Sequence, residues 1–133
     1  MLLSIPLLIL AVGAYHAVAL LGSGTVATSI LSMTLPSGAV LALSTGDLLI
    51  VFGLLLLFVE IFKATRTGTA SIIDHLLSVG LFVVCLVELI LFPAFGTTTF
   101  LFLTLMALVD VIAGFTVTIT SARRDIGLDE AIR

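Results

Sequence analysis

The residues most able to do chemistry are the few ionisable side chains that interrupt long apolar runs. Asp110 lies in the middle of the segment LMALVDVIAGF. On insertion scales, a carboxylate at the centre of a membrane helix costs about 2.5–3.5 kcal/mol. We therefore expect Asp110 to face other helices, a partner or water, where it handles a proton, a cation or a ligand. The alternative is a neutral Asp110 that hydrogen-bonds to a neighbouring helix and fixes its packing.

A second group of ionisable residues lies in one apolar stretch and consists of Asp74, His75 and Glu88. Helical spacing places Asp74 and Glu88 on one stripe, about 21 Å apart along the axis, too far for a pair of catalytic carboxylates. The stripe could line a wet path, with His75 accepting protons at its entrance. Alternatively, it is the bundle-facing side of an ordinary helix, whose end carries interfacial charge pairs and a cap.

The sequence contains no recognisable catalytic or cofactor-binding motif. It has no glycine-rich phosphate loop, no HExxH and no GxSxG. Tyr15 and His16 are predicted to form an interior pair, and haem or metal ligation at His16 is the weaker alternative because no second ligand is evident. Cys85 is the only cysteine and is predicted to be a small packing residue. We therefore predict a protein that is not an enzyme and holds no cofactor or metal.

The composition of the chain is strongly apolar, and few of its residues are charged. The chain has 133 residues, of which 61% are hydrophobic and only 10% are charged, and its mean hydropathy is +1.43. A soluble domain of this size could not bury that much apolar surface, so lipid must act as its solvent. All five basic residues lie in one turn or near the C-terminus, which leaves no basic patch for nucleic acid.

The apolar runs predict an all-α membrane protein with an up-down bundle of four transmembrane helices in a single domain. Each run approaches the roughly 20 residues that a helix needs to cross a bilayer. The predicted spans are residues 2–21, 47–64, 71–92 and 98–121, with a connecting loop at 22–46 and a polar cytoplasmic tail at 122–133.

The loop 22–46 is too polar to span and is predicted to form an outer β-hairpin. Apolar residues alternate with small or polar ones on both sides of Pro36-Ser37-Gly38, which has the sequence of a type I turn. The apolar face would carry Leu31, Met33, Leu35, Leu41 and Leu43. This face should lie on the membrane surface, on the tops of the helices or on a partner, and a packed cap is favoured because an isolated hairpin is marginally stable. An irregular loop is the alternative.

Small residues mark the predicted helix contacts. Gly13 and Ala17 form a small-xxx-small pair, Gly46 and Gly53 share a stripe with Glu60, and Gly114 continues the face of Asp110. Such residues let helix backbones approach closely.

Lysine and arginine placement predicts the orientation. Lys63 and Arg66 lie in the turn between the second and third spans, and Arg123 and Arg124 follow the fourth. Basic residues favour the cytoplasmic side, so both termini should be cytoplasmic and the hairpin outside, in an inner membrane of bacterial type.

Two functional hypotheses follow. The leading one is an accessory, assembly or scaffold subunit of a membrane complex, or a homo-oligomer, whose partners are the lipid bilayer and other membrane subunits. The alternative is a minimal proton or cation conduit that uses Asp110 and Glu88 in the bilayer, with Asp74 and His75 at the inner mouth.

Overall fold

The structure, a computed structural model, describes residues 5–64 and 69–131. It is mostly helical, with one two-stranded antiparallel sheet. The elements are α1 (Leu8–Leu20), β1 (Ser29–Thr34), β2 (Val40–Ser44), α2 (Thr45–Ala64), α3 (Thr69–Leu91) and α4 (Thr98–Ala131), with short 3-10 turns at Ser23–Thr25 and Pro93–Phe95.

Three helical segments are long and apolar enough to cross a membrane. They are Thr45–Ala64, Ile73–Leu91 and Thr98–Val117, which agree closely with the predicted spans 47–64, 71–92 and 98–121. The first predicted span, 2–21, is not confirmed. Helix α1 has 13 residues, about 20 Å at 1.5 Å per residue, against a hydrocarbon core of about 30 Å.

The start of α1 has a local cause in Pro6. Proline has no backbone N–H and fixes its own φ, so it is tolerated at the beginning of a helix. The Pro6 carbonyl accepts a hydrogen bond from the N–H of Ile9 at 3.2 Å. Residues 2–4 of the predicted span lie outside the described residues.

Helix α4 extends beyond the predicted fourth span. The sequence predicted a span that ends at about residue 121 and a polar tail at 122–133, and the helical backbone continues through this tail to Ala131. The physical reason is that the segment SARRDIGLDEA contains no proline and only one glycine, so nothing in it breaks the helix. The last two residues lie outside the described chain.

The predicted β-hairpin is present. Met33 faces Leu41 and Leu31 faces Leu43 across the antiparallel pair, so these apolar side chains share one face. In the turn, the Gly38 N–H donates to the Leu35 carbonyl at 2.9 Å, and Gly38 has φ +82°, which favours glycine.

The hairpin does not pack as a cap on the helices. Every residue of β1 is exposed, and only the end of β2 next to α2 is partly covered. Apart from Leu43, the large apolar side chains of this two-stranded sheet therefore stay exposed in the described part of the chain.

Helix α4 is the centre of the helical packing. It packs against both α2 and α3, while α1 packs on α2 and touches α4. Contacts between Ile5, Leu7 and the end of α2, and between Lys63 and the start of α3, show that consecutive helices run in opposite directions. Helices α1 and α3 do not pack closely on each other, and an open space lies between them.

Candidate functional site

The strongest polar site is a buried network around Lys63, near the C-terminal end of α2. The Lys63 ammonium forms ion pairs with Glu60 and, at 2.9 Å, with Asp74 Oδ1 on α3. It also donates to the Ile5 carbonyl at 2.8 Å. Glu60 Oε2 accepts a hydrogen bond from the Leu7 N–H at 2.6 Å. We call Glu60, Lys63, Asp74, Ser78 and Asp110 the Lys63 cluster.

Asp110 brings α4 into this cluster. Its side chain is only 4% exposed, and the Ser78 hydroxyl on α3 donates a hydrogen bond to its carboxylate. Lys63, Asp74 and His75 are near enough to act on Asp110 electrostatically. Of the predicted surroundings (other helices, a partner or water), the structure places Asp110 against other helices of this chain.

The Lys63 cluster contains more acid than base. Glu60, Asp74 and Asp110 are each nearly inaccessible, at 1%, 4% and 4% exposure, and Lys63 is the lysine that pairs with two of them. Buried charges are stable only when they are paired and hydrogen-bonded. The arrangement therefore ties three chain segments together through Lys63, and Asp110 on α4 joins them through its hydroxyl partner Ser78.

His75 follows Asp74 of this cluster in the sequence, and its ring makes a separate contact with α4. Its ring packs on Gly114 of α4, where a Cβ would fall 2.7 Å from His75 Cε1. The His75 and Phe115 ring centroids are 6.5 Å apart. Asp74 and His75 therefore both lie near Asp110, and Gly114 provides the space for the imidazole.

A second polar group lies at the opposite end of the bundle. His16 Nε2 on α1 is 3.0 Å from Glu88 Oε1 on α3, and His16 Nδ1 is 2.8 Å from the Val12 carbonyl. Beside them, the Tyr15 hydroxyl and Thr97 Oγ1 are 2.6 Å apart. We call Tyr15, His16, Glu88 and Thr97 the His16 cluster.

Aromatic rings enclose the His16 cluster. The centroids of Tyr15 and Phe100 are 4.8 Å apart, and those of His16 and Phe95 are 4.7 Å apart. Thr97 Oγ1 also accepts the Phe100 N–H at 3.2 Å, which caps the start of α4. Of the predicted interior pair, Tyr15 is fully buried and contacts Thr97 at the start of α4, whereas His16 is 32% exposed and contacts Glu88 near the end of α3.

A mostly apolar layer separates the two clusters. Cys85 on α3 and Leu103 and Met106 on α4 lie between them and are buried, together with Thr104, whose hydroxyl donates to the Phe100 carbonyl at 2.9 Å. Along α3, Ser78 and Glu88 are ten residues apart, about 15 Å. Asp110 and Glu88, which the conduit hypothesis joined, therefore belong to different clusters.

The predicted packing glycines divide into two groups. Gly46, Gly53 and Gly114 lie against other segments, and a Cβ on Gly53 would be 2.9 Å from Leu103 Cδ2. A Cβ on Gly13 would meet no atom within 4 Å, and Ala17 is exposed. The close approach predicted at Gly13 and Ala17 is not made within the described part of this chain.

The remaining predicted residues lie on the hairpin or are the predicted cytoplasmic anchors. Leu31, Met33, Leu35 and Leu41 are exposed on the hairpin and Leu43 is partly covered. Lys63, predicted as a cytoplasmic anchor, has a largely buried side chain that pairs with Glu60 and Asp74. Arg66 lies outside the described residues, and the backbone at Arg123 and Arg124 is helical.

Two contacts were not predicted from the sequence. The ion pair of His16 with Glu88 joins residues 72 positions apart, and the Tyr15–Thr97 contact joins residues 82 apart. The only signal was that each polar side chain interrupts an apolar run near the same end of an antiparallel bundle.

Comparison with protein-family models, with curated proteins and with solved structures finds no match to this chain.

Proposed function

We propose that this protein is a small non-enzymatic integral membrane protein of an inner membrane. It acts as an accessory or scaffold subunit of a membrane complex, or as a homo-oligomer, and its hairpin binds the partner subunit. In this proposal α1 completes a four-span bundle together with the residues before it, and both termini are cytoplasmic.

The observation that carries the proposal is the exposed apolar hairpin. Leu31, Met33 and Leu41 are 46%, 47% and 40% exposed and share one face. Contiguous exposed apolar residues mark interaction surfaces, and a two-stranded hairpin gains stability when such a face is covered. The other face pairs Ser32 with Ala42 and Thr34 with the exposed Val40, so it carries fewer large apolar side chains, and the first face is the one proposed to bind the partner.

The Lys63 cluster supports the same proposal. Lys63 joins the segment before α1, helix α2 and helix α3. These contacts are typical of a structural ion pair that holds helices together. A rigid bundle is what a scaffold needs in order to hold its hairpin in one position.

The test substitutes one residue on each face of the hairpin. Leu41→Asp places a charge in the apolar face, whereas Ser32→Asp places the same charge on the opposite face as a matched control. Since both side chains are exposed, neither substitution should disturb the bundle.

The measurement is co-purification from native membranes in mild detergent, with mass spectrometry and particle mass. We expect wild type and Ser32→Asp to retain a stoichiometric partner or a homo-oligomer, and Leu41→Asp to lose it. The same particle mass and composition for all three proteins would contradict the proposal.

A proton or cation conduit is the second candidate, and the buried Asp110–Ser78 pair next to Asp74 favours it. The apolar layer between Asp110 and Glu88 places it second, because protons need a chain of polar groups or water. In liposomes, proton flux in the wild type that Asp110→Asn abolishes would support the conduit over the scaffold. Flux equal to that of empty liposomes would exclude it.

A further inference from the structure

The outer edge of β2 is a strand edge without the usual protection against further pairing. Residues 40–42 are exposed, and the loop 22–46 contains no charged residue. Native proteins commonly protect strand edges with charges, with proline or with a bulge. On β1 the register shifts between Ser29 and Leu31, which is a bulge that distorts this edge. The edge of β2 has no such feature.

The backbone groups on the edge of β2 point away from the hairpin. The Leu35 N–H donates to the Ala39 carbonyl at 2.8 Å, and hydrogen-bonded and non-hydrogen-bonded pairs alternate along an antiparallel ladder. Leu41 therefore turns its N–H and C=O towards β1, whereas Val40 and Ala42 turn theirs outwards. In the described part of the chain, these outward groups bond to no other segment. They are two donors and two acceptors, as an added strand requires.

The outward groups match the same groups of a second copy of this chain. When two β2 strands run antiparallel with Leu41 opposite its counterpart, Val40 of each copy lies opposite Ala42 of the other. Every outward N–H and C=O of both copies is then bonded. The contact is isologous, because the same strand is used on both sides of a twofold axis.

The side chains also suit this register. The apolar face that contains Leu41 becomes continuous across the two hairpins, and on the opposite face the larger Val40 lies beside the small Ala42. Like charges that face each other across strands are destabilising, and a hairpin without charges avoids that repulsion with its own copy.

Attachment to the bundle favours a second copy over a strand from another protein. Strand β2 continues directly into α2 through the reciprocal hydrogen bonds of Ser44 and Asp47. Two copies in one bilayer therefore present this edge on the same side and at the same height. An unrelated protein is under no such constraint.

We propose that β2 is a dimerisation strand that pairs edge to edge with β2 of a second copy, about a twofold axis at Leu41. The inference rests on the proposed function and identifies the partner as this chain itself. The product is a four-stranded sheet, and three or more strands with an apolar face are more stable than an isolated hairpin.

The first test is disulfide cross-linking in native membranes oxidised with copper phenanthroline. Single cysteines are placed by Leu41→Cys and Met33→Cys in a Cys85→Ala background. Opposed residues of a non-hydrogen-bonded pair have Cα atoms about 4.5 Å apart, within the reach of a disulfide. The two copies of Met33 would be three strand spacings apart, about 14 Å, which is too far. On a non-reducing gel we expect about fivefold more cross-linked dimer from Leu41→Cys than from Met33→Cys.

The second test uses a matched pair of prolines. Ser32 and Ala42 face each other in a non-hydrogen-bonded pair, so both N–H groups point out of the hairpin and neither proline removes a bond within it. Ala42→Pro removes a donor from the proposed interface, and Ser32→Pro makes the same change on the edge of β1. In mild detergent we expect dimers for wild type and Ser32→Pro, and half that particle mass for Ala42→Pro.

The other results separate this inference from the proposed function. Equal cross-linking of Met33→Cys and Leu41→Cys, or a dimeric Ala42→Pro, would overturn the pairing through β2. A monomeric wild type with a stoichiometric foreign subunit would overturn the inference and leave the scaffold function intact, whereas a monomeric wild type without any partner would contradict both. If the proline variants fail to fold, judged by circular dichroism, cross-linking decides alone.

Discussion

Lys63 is the residue on which the polar interior of this protein depends. Its side chain is 10% exposed and pairs with Glu60 and Asp74, which are more deeply buried still. The desolvation of three charged groups is costly, and their mutual attraction offsets that cost only while all of them are present. Lys63 therefore acts as a structural counter-ion, at the helix end where the sequence predicted interfacial charge pairs.

Replacement of Lys63 by methionine should destabilise the bundle strongly. Lys63→Met keeps the length of the side chain but leaves Glu60 and Asp74 buried without their cation. Breaking a buried pair in this way costs about 3–5 kcal/mol. Unfolding in mixed micelles with increasing SDS, followed by circular dichroism, would measure the loss.

The matched control is the triple variant Lys63→Met, Glu60→Gln, Asp74→Asn, in which no charge of the ion pairs remains. It should recover a large part of the lost stability, because neutral amides are far cheaper to bury than carboxylates. A single Lys63→Met variant as stable as the wild type would show that these pairs contribute nothing.

At the scale of elements, the contact of α2 with α4 depends on small residues at the interface. Gly53 faces Leu103 and Met106 on α4 and Ala11 on α1. In lipid there is no hydrophobic drive between helices, so close packing of this kind supplies much of their association. On helix α1, by contrast, Gly13 lines the open space between α1 and α3 and packs against no other helix.

The same substitution at these two glycines should have different effects. Gly53→Leu inserts a side chain between α2 and α4 and should destabilise the protein by about 1–3 kcal/mol, the usual range for overpacking. Gly13→Leu adds the same side chain where nothing lies within 4 Å and should be neutral or slightly stabilising. SDS unfolding of both variants tests this, and equal destabilisation would contradict the described packing.

The capping of α2 shows how the hairpin is joined to the bundle. Asp47 Oδ2 accepts hydrogen bonds from the Ser44 N–H and hydroxyl at 2.8 and 2.7 Å, while the Asp47 N–H donates to Ser44 Oγ. This reciprocal pair forms a capping box. Because Ser44 is also the last residue of β2, the sheet continues directly into the helix and its position is set by α2.

At the scale of the whole molecule, the number of membrane crossings is the property that decides orientation. Helices α2, α3 and α4 each contain a segment able to span, whereas α1 has 13 residues. Four crossings place both termini on one side, and three place them on opposite sides. The charge bias of Lys63, Arg66, Arg123 and Arg124 predicts a cytoplasmic C-terminus in either case.

Labelling with an impermeant maleimide in intact cells can count the crossings. In a Cys85→Ala background, single cysteines are placed at Ser4 near the N-terminus, at Ser37 in the hairpin turn and at Ser121 near the end of the fourth span. We expect Ser37→Cys to react from outside, and Ser4→Cys and Ser121→Cys to react only after the membrane is permeabilised. External labelling of Ser4→Cys would establish three crossings and contradict the four-span prediction.

The sequence by itself determined the membrane class, the approximate limits of three spans and the hairpin. Each of these depends on local patterns: long apolar runs, period-two alternation around Pro36-Ser37-Gly38, and caps at the helix starts. The same patterns marked Asp110 as an interior residue, because a carboxylate in an apolar run must be shielded from lipid. They could not show that α4 continues to Ala131, since Arg123 and Arg124 suggested an end although neither residue breaks a helix.

Only the tertiary structure decided which polar groups meet. Helices that are apolar on nearly all sides carry little periodic signal about which face is buried, so their rotation cannot be read from the sequence. That rotation places Ser78 against Asp110, His16 against Glu88 and Lys63 between two carboxylates. It also leaves α1 and α3 apart, and so creates a groove that no local pattern of residues could have indicated.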